Sequence, residues 1–201
     1  MEDALKLIVS GVIAYVLPRA LADIGKAFTP SQEKKPLPWV PWVIASFIGG
    51  ALGGAFSGAM GEHGFGNWAV YGATLGIMQW LALREYLPIG KWWAVASTIG
   101  WAIAFPLTGN PFGGFLVGLA IGILQMVGSK VDGKIWWIGG NALAWGLVAL
   151  LLPILAGMVA SFGPFLGWVI GWGLVALIGA LLLIFPLARL APIDETNQET
   201  K

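Results

Sequence analysis

Charge is scarce in this chain. Only 10% of its 201 residues are Asp, Glu, Lys or Arg, while 58% are hydrophobic; a soluble domain carries about 25% charged residues. That is too little charge to solvate a globular surface, so lipid is the expected solvent for most of the chain. Cysteine is absent, which excludes a disulfide framework, a thiolate nucleophile and a thiolate metal site. Histidine occurs once, at His63 beside Glu62. A metal centre needs three or four converging ligands, so His63 reads as a solvated loop residue and no metal is expected. Paired carboxylates, a nucleophile with its base, a basic aromatic surface and a phosphate-cradling loop with its lysine are missing too. No catalytic, cofactor-binding or metal-binding residue is assigned, and neither enzymatic activity nor a nucleic-acid partner is expected.

What the chain does have is long apolar runs. About 20 apolar residues cross a bilayer as a helix. Six stretches qualify or come close: Pro41–Met60, Gly66–Leu83, Trp92–Leu107, Phe112–Gly128, Ile135–Leu155 and Gly163–Leu187. The third and fourth are short and would stand upright or thin the membrane. The connections are brief and rich in turn formers, so neighbours run antiparallel. The expected fold is an all-α integral membrane protein of six transmembrane helices over residues 41–187, in hairpins of about 41–83, 92–128 and 135–187. With six spans, all eleven basic residues, from Lys6 to Lys201, fall on one side. The positive-inside rule then puts both termini in the cytoplasm of a bacterial inner membrane, with the thylakoid as the other candidate membrane.

Before the spans, residues 1–28 read as an amphipathic helix in the cytoplasmic interface, with Lys6, Ser10 and Ala14 on its polar stripe. Glu2 and Asp3 near the start argue against the alternative of a signal peptide. Residues 29–40 read as a polar linker and 188–201 as a cytoplasmic tail.

Glutamine occurs twice in the same setting, as G-x3-G-x2-Q: Gly72, Gly76, Gln79 and Gly118, Gly122, Gln125. The sixth stretch has Gly167 and Gly171, but Leu174 stands where the amide would be. The odd stretches open with Trp42, Trp93 and Trp137 at the expected cytoplasmic edge, followed four residues on by Ser46, Ser97 and Asn141. The expectation is three parallel helical-hairpin repeats about an axis along the membrane normal. At about 1.5 Å per residue, Ser46, Ser97, Asn141, Gln79 and Gln125 share one depth and form a polar intramembrane layer. Gly49, Gly53, Gly54 and Gly58 join Gly72, Gly76, Gly118 and Gly122 as candidates for close helix packing. Most of the twelve tryptophans are expected at the two membrane interfaces.

The residues Gly72, Gly76, Gln79, Trp80, Leu83, Arg84, Trp92, Trp93, Gly100 and Trp101 carry a resemblance. The segment is similar to a repeat in an uncharacterised family of small polytopic bacterial membrane proteins, with a G-x3-G-x2-QW-x2-LR segment, a short turn and a tryptophan-led helix. The resemblance implies fold and localisation. It brings no activity and no catalytic residue.

Two functions fit these residues. In one, the amides and hydroxyls fix helix register, and the chain is a packing or accessory subunit of a larger membrane assembly, with lipid and other membrane subunits or its own copies as partners. In the other, the layer lines a cytoplasmic vestibule of a small autonomous transporter or channel. The first is preferred, because ion-coupled pathways usually carry an intramembrane acid or base and the six stretches carry none.

Overall fold

The computed structural model describes residues 38–60, 65–104, 107 and 110–192. The interfacial helix, most of the linker, the loop bearing Glu62 and His63 and most of the tail lie outside the described residues.

Within them the protein is helical. The helices are α1 (Trp39–Met60), α2 (Phe65–Leu83), α3 (Trp92–Ala104), α4 (Pro111–Met126), α5 (Lys134–Val159), α6 (Pro164–Leu182) and the short α7 (Ile184–Ala188). Local chemistry sets several ends. Asn110 caps α4 by accepting from the Gly113 amide at 2.8 Å, with Pro111 in the first turn, where a missing N–H costs nothing. Gly128, Gly133 and Gly163 have positive φ and turn the chain between helices. The last apolar stretch, expected as one run to Leu187, breaks at Leu183. Pro186 is the reason: its ring would clash with the carbonyl four residues back, at Leu182.

Three helices are long and apolar enough to cross a membrane: Trp39–Met60, Lys134–Phe162 (α5 with the 3-10 turn that follows it) and Phe165–Leu182. The helix α4 is apolar but shorter, and α3 has 13 residues, about 20 Å at the usual rise. Large apolar side chains point outward on every long helix, among them Ile44, Ile77, Ile99, Ile123, Ile154 and Leu181. Such a surface is compatible with membrane residence.

Each helix from α1 to α6 packs against the next in the chain, and α6 packs against α1, so the six close into a ring. Two apolar clusters fill it. One gathers Trp42, Trp93 and Trp137 with Leu83, Met126 and Leu187. The other gathers Tyr71, Trp101, Val117, Trp145 and Val175, with Trp68 and Trp172 against them. Below the first cluster the stretch expected as a plain loop and the start of the expected tail meet: Val131–Asp132 (β1) pairs antiparallel with Ala191–Pro192 (β2). Val131 and Leu190 are buried there. The five described basic residues, Arg84, Lys91, Lys130, Lys134 and Arg189, all belong to the turns and helix ends around this cluster.

Candidate functional site, a buried polar layer

The five polar residues expected at one depth are all buried, none more than 6% exposed. Their placement follows from glycine. The helix α2 meets α1 across Gly49 and Gly53: a Cβ on Gly49 would lie 2.8 Å from the Leu75 Cα, and one on Gly53 would lie 2.9 Å from the Tyr71 Cα. The other face of α2 meets α3 across Gly72 and Gly76, where a Cβ would lie 2.6 Å from the Ser97 carbonyl oxygen and 2.6 Å from the Ser97 Cβ. On α4, Gly118 sits against the Asn141 carbonyl, and a Cβ on Gly122 would lie 2.9 Å from the Ile138 Cα. Backbones this close let short polar side chains reach the neighbouring helix.

The resulting bonds run between helices. Gln79 Nε2 donates to Ser46 Oγ at 3.1 Å, joining α2 to α1. Gln125 Nε2 donates to Ser97 Oγ at 2.9 Å, joining α4 to α3. Trp137 Nε1 in turn donates to Gln125 Oε1 at 2.9 Å, and Ser97 Oγ donates to the Trp93 carbonyl at 2.9 Å. Two of these bonds therefore tie α5, α4 and α3 together, and the third anchors Ser97 to its own helix. Asn141 differs. Its Nδ2 donates to the Trp137 carbonyl of its own helix at 3.0 Å, as suits a residue whose expected amide partner is replaced by Leu174. Seated against Gly118 and Gly122, it remains part of the layer.

Tryptophan departs from the expectation. Trp42, Trp93 and Trp137 are fully buried and meet at the ring's centre: the Trp42 and Trp137 rings are 5.7 Å apart and those of Trp93 and Trp137 are 5.2 Å apart. The exposed partners at the helix starts are Trp39, Trp92 and Trp136. Depth along a helix is legible in sequence, but the direction a side chain faces is not, when tryptophan occupies adjacent or near-adjacent positions. Trp42 closes the ring by donating from Nε1 to the Ala180 carbonyl of α6 at 3.1 Å. Trp93 Nε1 is buried without an acceptor. The deeper Trp101, Trp145 and Trp172 pack with Trp68 and Tyr71. Trp101 and Trp145 meet edge to face at 4.7 Å, and Trp68 and Trp172 at 5.0 Å.

On one side the layer is bounded by the first tryptophan group, and on the other by the second. The space among Trp68, Trp101, Trp145 and Trp172 amounts to about 30 Å³ with apolar walls. The residues that sequence reading overlooked are Ser57 and Asn67. Ser57 Oγ donates to the Asn67 carbonyl at 3.2 Å, and Asn67 Nδ2 to the Ser57 carbonyl at 3.4 Å, tying the far ends of α1 and α2. Neither stands in a repeated motif, so no spacing pointed to them. Among the described residues no group of three His, Asp or Glu could hold a metal. No family model, curated protein or solved structure matches this chain.

Proposed function

We propose that this chain is a non-enzymatic integral membrane protein that serves as a packing or accessory subunit of a larger assembly in a bacterial inner or thylakoid membrane. The observation that carries this reading is the inward bonding of the polar layer. Gln79 with Ser46, and Gln125 with Ser97 and Trp137, bond from helix to helix, Asn141 bonds to its own helix, and aromatic clusters lie on both sides. A solute site would need such groups turned toward an open path.

In this reading all six ring helices cross the bilayer. The helices α5, α6 and α1 are consecutive in the ring, and α2 to α4 bridge the gap between α1 and α5. Those three carry outward Ile77, Val95, Ile103, Phe115 and Ile123, a lipid-facing set. With 19 residues α2 matches α6 in length, while α3 and α4, with 13 and 16, would thin the membrane slightly around them. The basic residues at one end of the ring support a cytoplasmic position for that end and, with an even number of spans, for both termini. The twice-made glutamine-to-serine bond supports a hairpin repeat of the kind in the resembling bacterial family.

The test is the native mass of the untagged protein in mild detergent, with its companions identified. Co-migration with a larger membrane complex in fixed ratio is expected; a lone chain or a pure homo-oligomer would sink the accessory role. Orientation has its own check. In the cysteine-free chain, His63→Cys should react with an impermeant thiol reagent added outside intact cells and Lys130→Cys should not; the reverse pattern would invert the topology.

A further inference from the structure

A groove of about 450 Å³ runs between the first half of α5 and the α6–α7 junction, lined by Trp136, Gly139, Leu143, Leu147, Leu182 and Phe185, among others. From Trp136 to Leu147 it follows α5 for about 16 Å at the helical rise. Gly139 forms its floor. A Cβ there would meet nothing within 4 Å, so the protein's own packing does not require glycine at this mid-helix position, where alanine would favour the helix. The neighbouring Gly140, by contrast, sits directly against Pro186.

A cation stands at the charged end of this groove. The Arg189 guanidinium lies 5.3 Å from the Trp136 ring centroid and 4.8 Å from that of Phe185. Those two rings are walls of the groove and meet edge to face at 5.9 Å. Lys134 begins α5 at the same end, and among the described residues the adjoining ribbon carries one acid, Asp132. The companion groove of about 420 Å³, between the far half of α5 and the start of α6, has only apolar residues and glycines along it.

From this juxtaposition we infer that the α5–α7 groove is a binding site for one anionic phospholipid. An acyl chain lies over Gly139 toward Leu147, and the headgroup phosphate pairs with Arg189, whose guanidinium the two rings hold in place. A protein helix is the poorer occupant. A 16 Å length of helix fills on the order of 1,200 Å³, so it would ride above a groove of this size. The inference rests on membrane residence and is independent of the accessory role: failure to co-migrate with a complex leaves lipid binding untouched.

The experiment is native mass spectrometry of the full-length protein titrated with phosphatidylglycerol or phosphatidylcholine of matched chains. Phosphatidylglycerol is expected to bind one copy about tenfold tighter, because both lipids carry the phosphate but the choline cation of phosphatidylcholine offsets it and is repelled by Arg189 and Lys134. Arg189→Gln, a change to an exposed side chain, should erase that preference. Gly139→Leu should fill the groove and abolish binding of both lipids, with tryptophan emission and elution volume unchanged. Equal affinity of the unaltered protein for the two lipids would overturn the proposal. So would full retention of phosphatidylglycerol by folded Gly139→Leu, or a fall in that variant's native mass by one protein copy, which would identify the occupant as a second chain. Should Gly139→Leu misfold, the Arg189→Gln comparison decides alone: an undiminished preference for phosphatidylglycerol rejects the site.

Discussion

Gln79 and Gln125 occupy equivalent places in the sequence but do unequal amounts of bonding. Gln79 makes one bond to another helix, through Nε2. Gln125 makes two, accepting from Trp137 and donating to Ser97. Bonds of this kind between membrane helices contribute about 0.6–2 kcal/mol each. Removing Gln125 also leaves the Trp137 indole N–H buried without an acceptor, which costs about 1–3 kcal/mol more. Gln79→Leu should therefore lower stability by about 1 kcal/mol and Gln125→Leu by about 2–4 kcal/mol, measured by reversible unfolding in mixed micelles. Equal losses would mean that the Trp137 bond contributes nothing. Both positions were legible from spacing alone, because an amide amid apolar residues needs a partner within hydrocarbon. The partner's identity was only half legible. Serine four residues after a tryptophan recurs in sequence; the indole that completes the Gln125 cluster was expected at the membrane edge.

At the scale of the helix, glycine sets which pairs approach closely. The two sides of α1 use different glycines. Gly49 and Gly53 receive α2, while Gly50, Gly54 and Gly58 receive the Trp168–Ala176 stretch of α6. The sixth helix does not repeat the pattern of the second and fourth. Its Gly167 and Gly171 face Val159 of α5, and the close approach to α1 is supplied by glycines of α1 together with Gly173 of α6. Two alanine substitutions separate packing from propensity. At Gly118 a Cβ would press on the Asn141 carbonyl, so Gly118→Ala should destabilise by about 1–3 kcal/mol through overpacking. At Gly157 the same methyl meets open space, so Gly157→Ala should be neutral or stabilise by up to about 1 kcal/mol through helix propensity. Thermal denaturation of the two variants side by side checks the sign of each.

For the whole molecule, the decisive contact is the closure of α6 on α1. It joins residues 138 apart in sequence through the Trp42–Ala180 bond. A Cβ on Gly173 would lie 3.3 Å from the Ala51 Cβ, near the separation that a disulfide bridges. The chain has no cysteine of its own, so the double variant Ala51→Cys with Gly173→Cys has one possible intramolecular link. Mild oxidation in membranes should join α1 to α6 within one chain, seen as a mobility shift on non-reducing gels that reductant reverses. Failure to link, with both thiols accessible to alkylation, would mean an open bundle. Closure also determines how the tryptophans are used. In an open row of hairpins, Trp42 and Trp137 would stand at opposite ends; in the ring they meet at the centre.

The sequence by itself determined the apolar helical character of the described chain, the gathering of its described charge at one end, the common level of the polar residues along their helices and the glycines available for close approach. These are properties of composition and of position along a helix, and each is read within a window of some twenty residues. The tertiary structure decided the rest: which member of each tryptophan pair faces inward, that α6 returns to α1, that Val131–Asp132 pairs with Ala191–Pro192, and that Asn141 bonds to its own helix. The rotation of a helix about its axis is set by what lies across from it. In a chain that is apolar on nearly every face, little local contrast announces that rotation, and only contacts between distant segments resolve it.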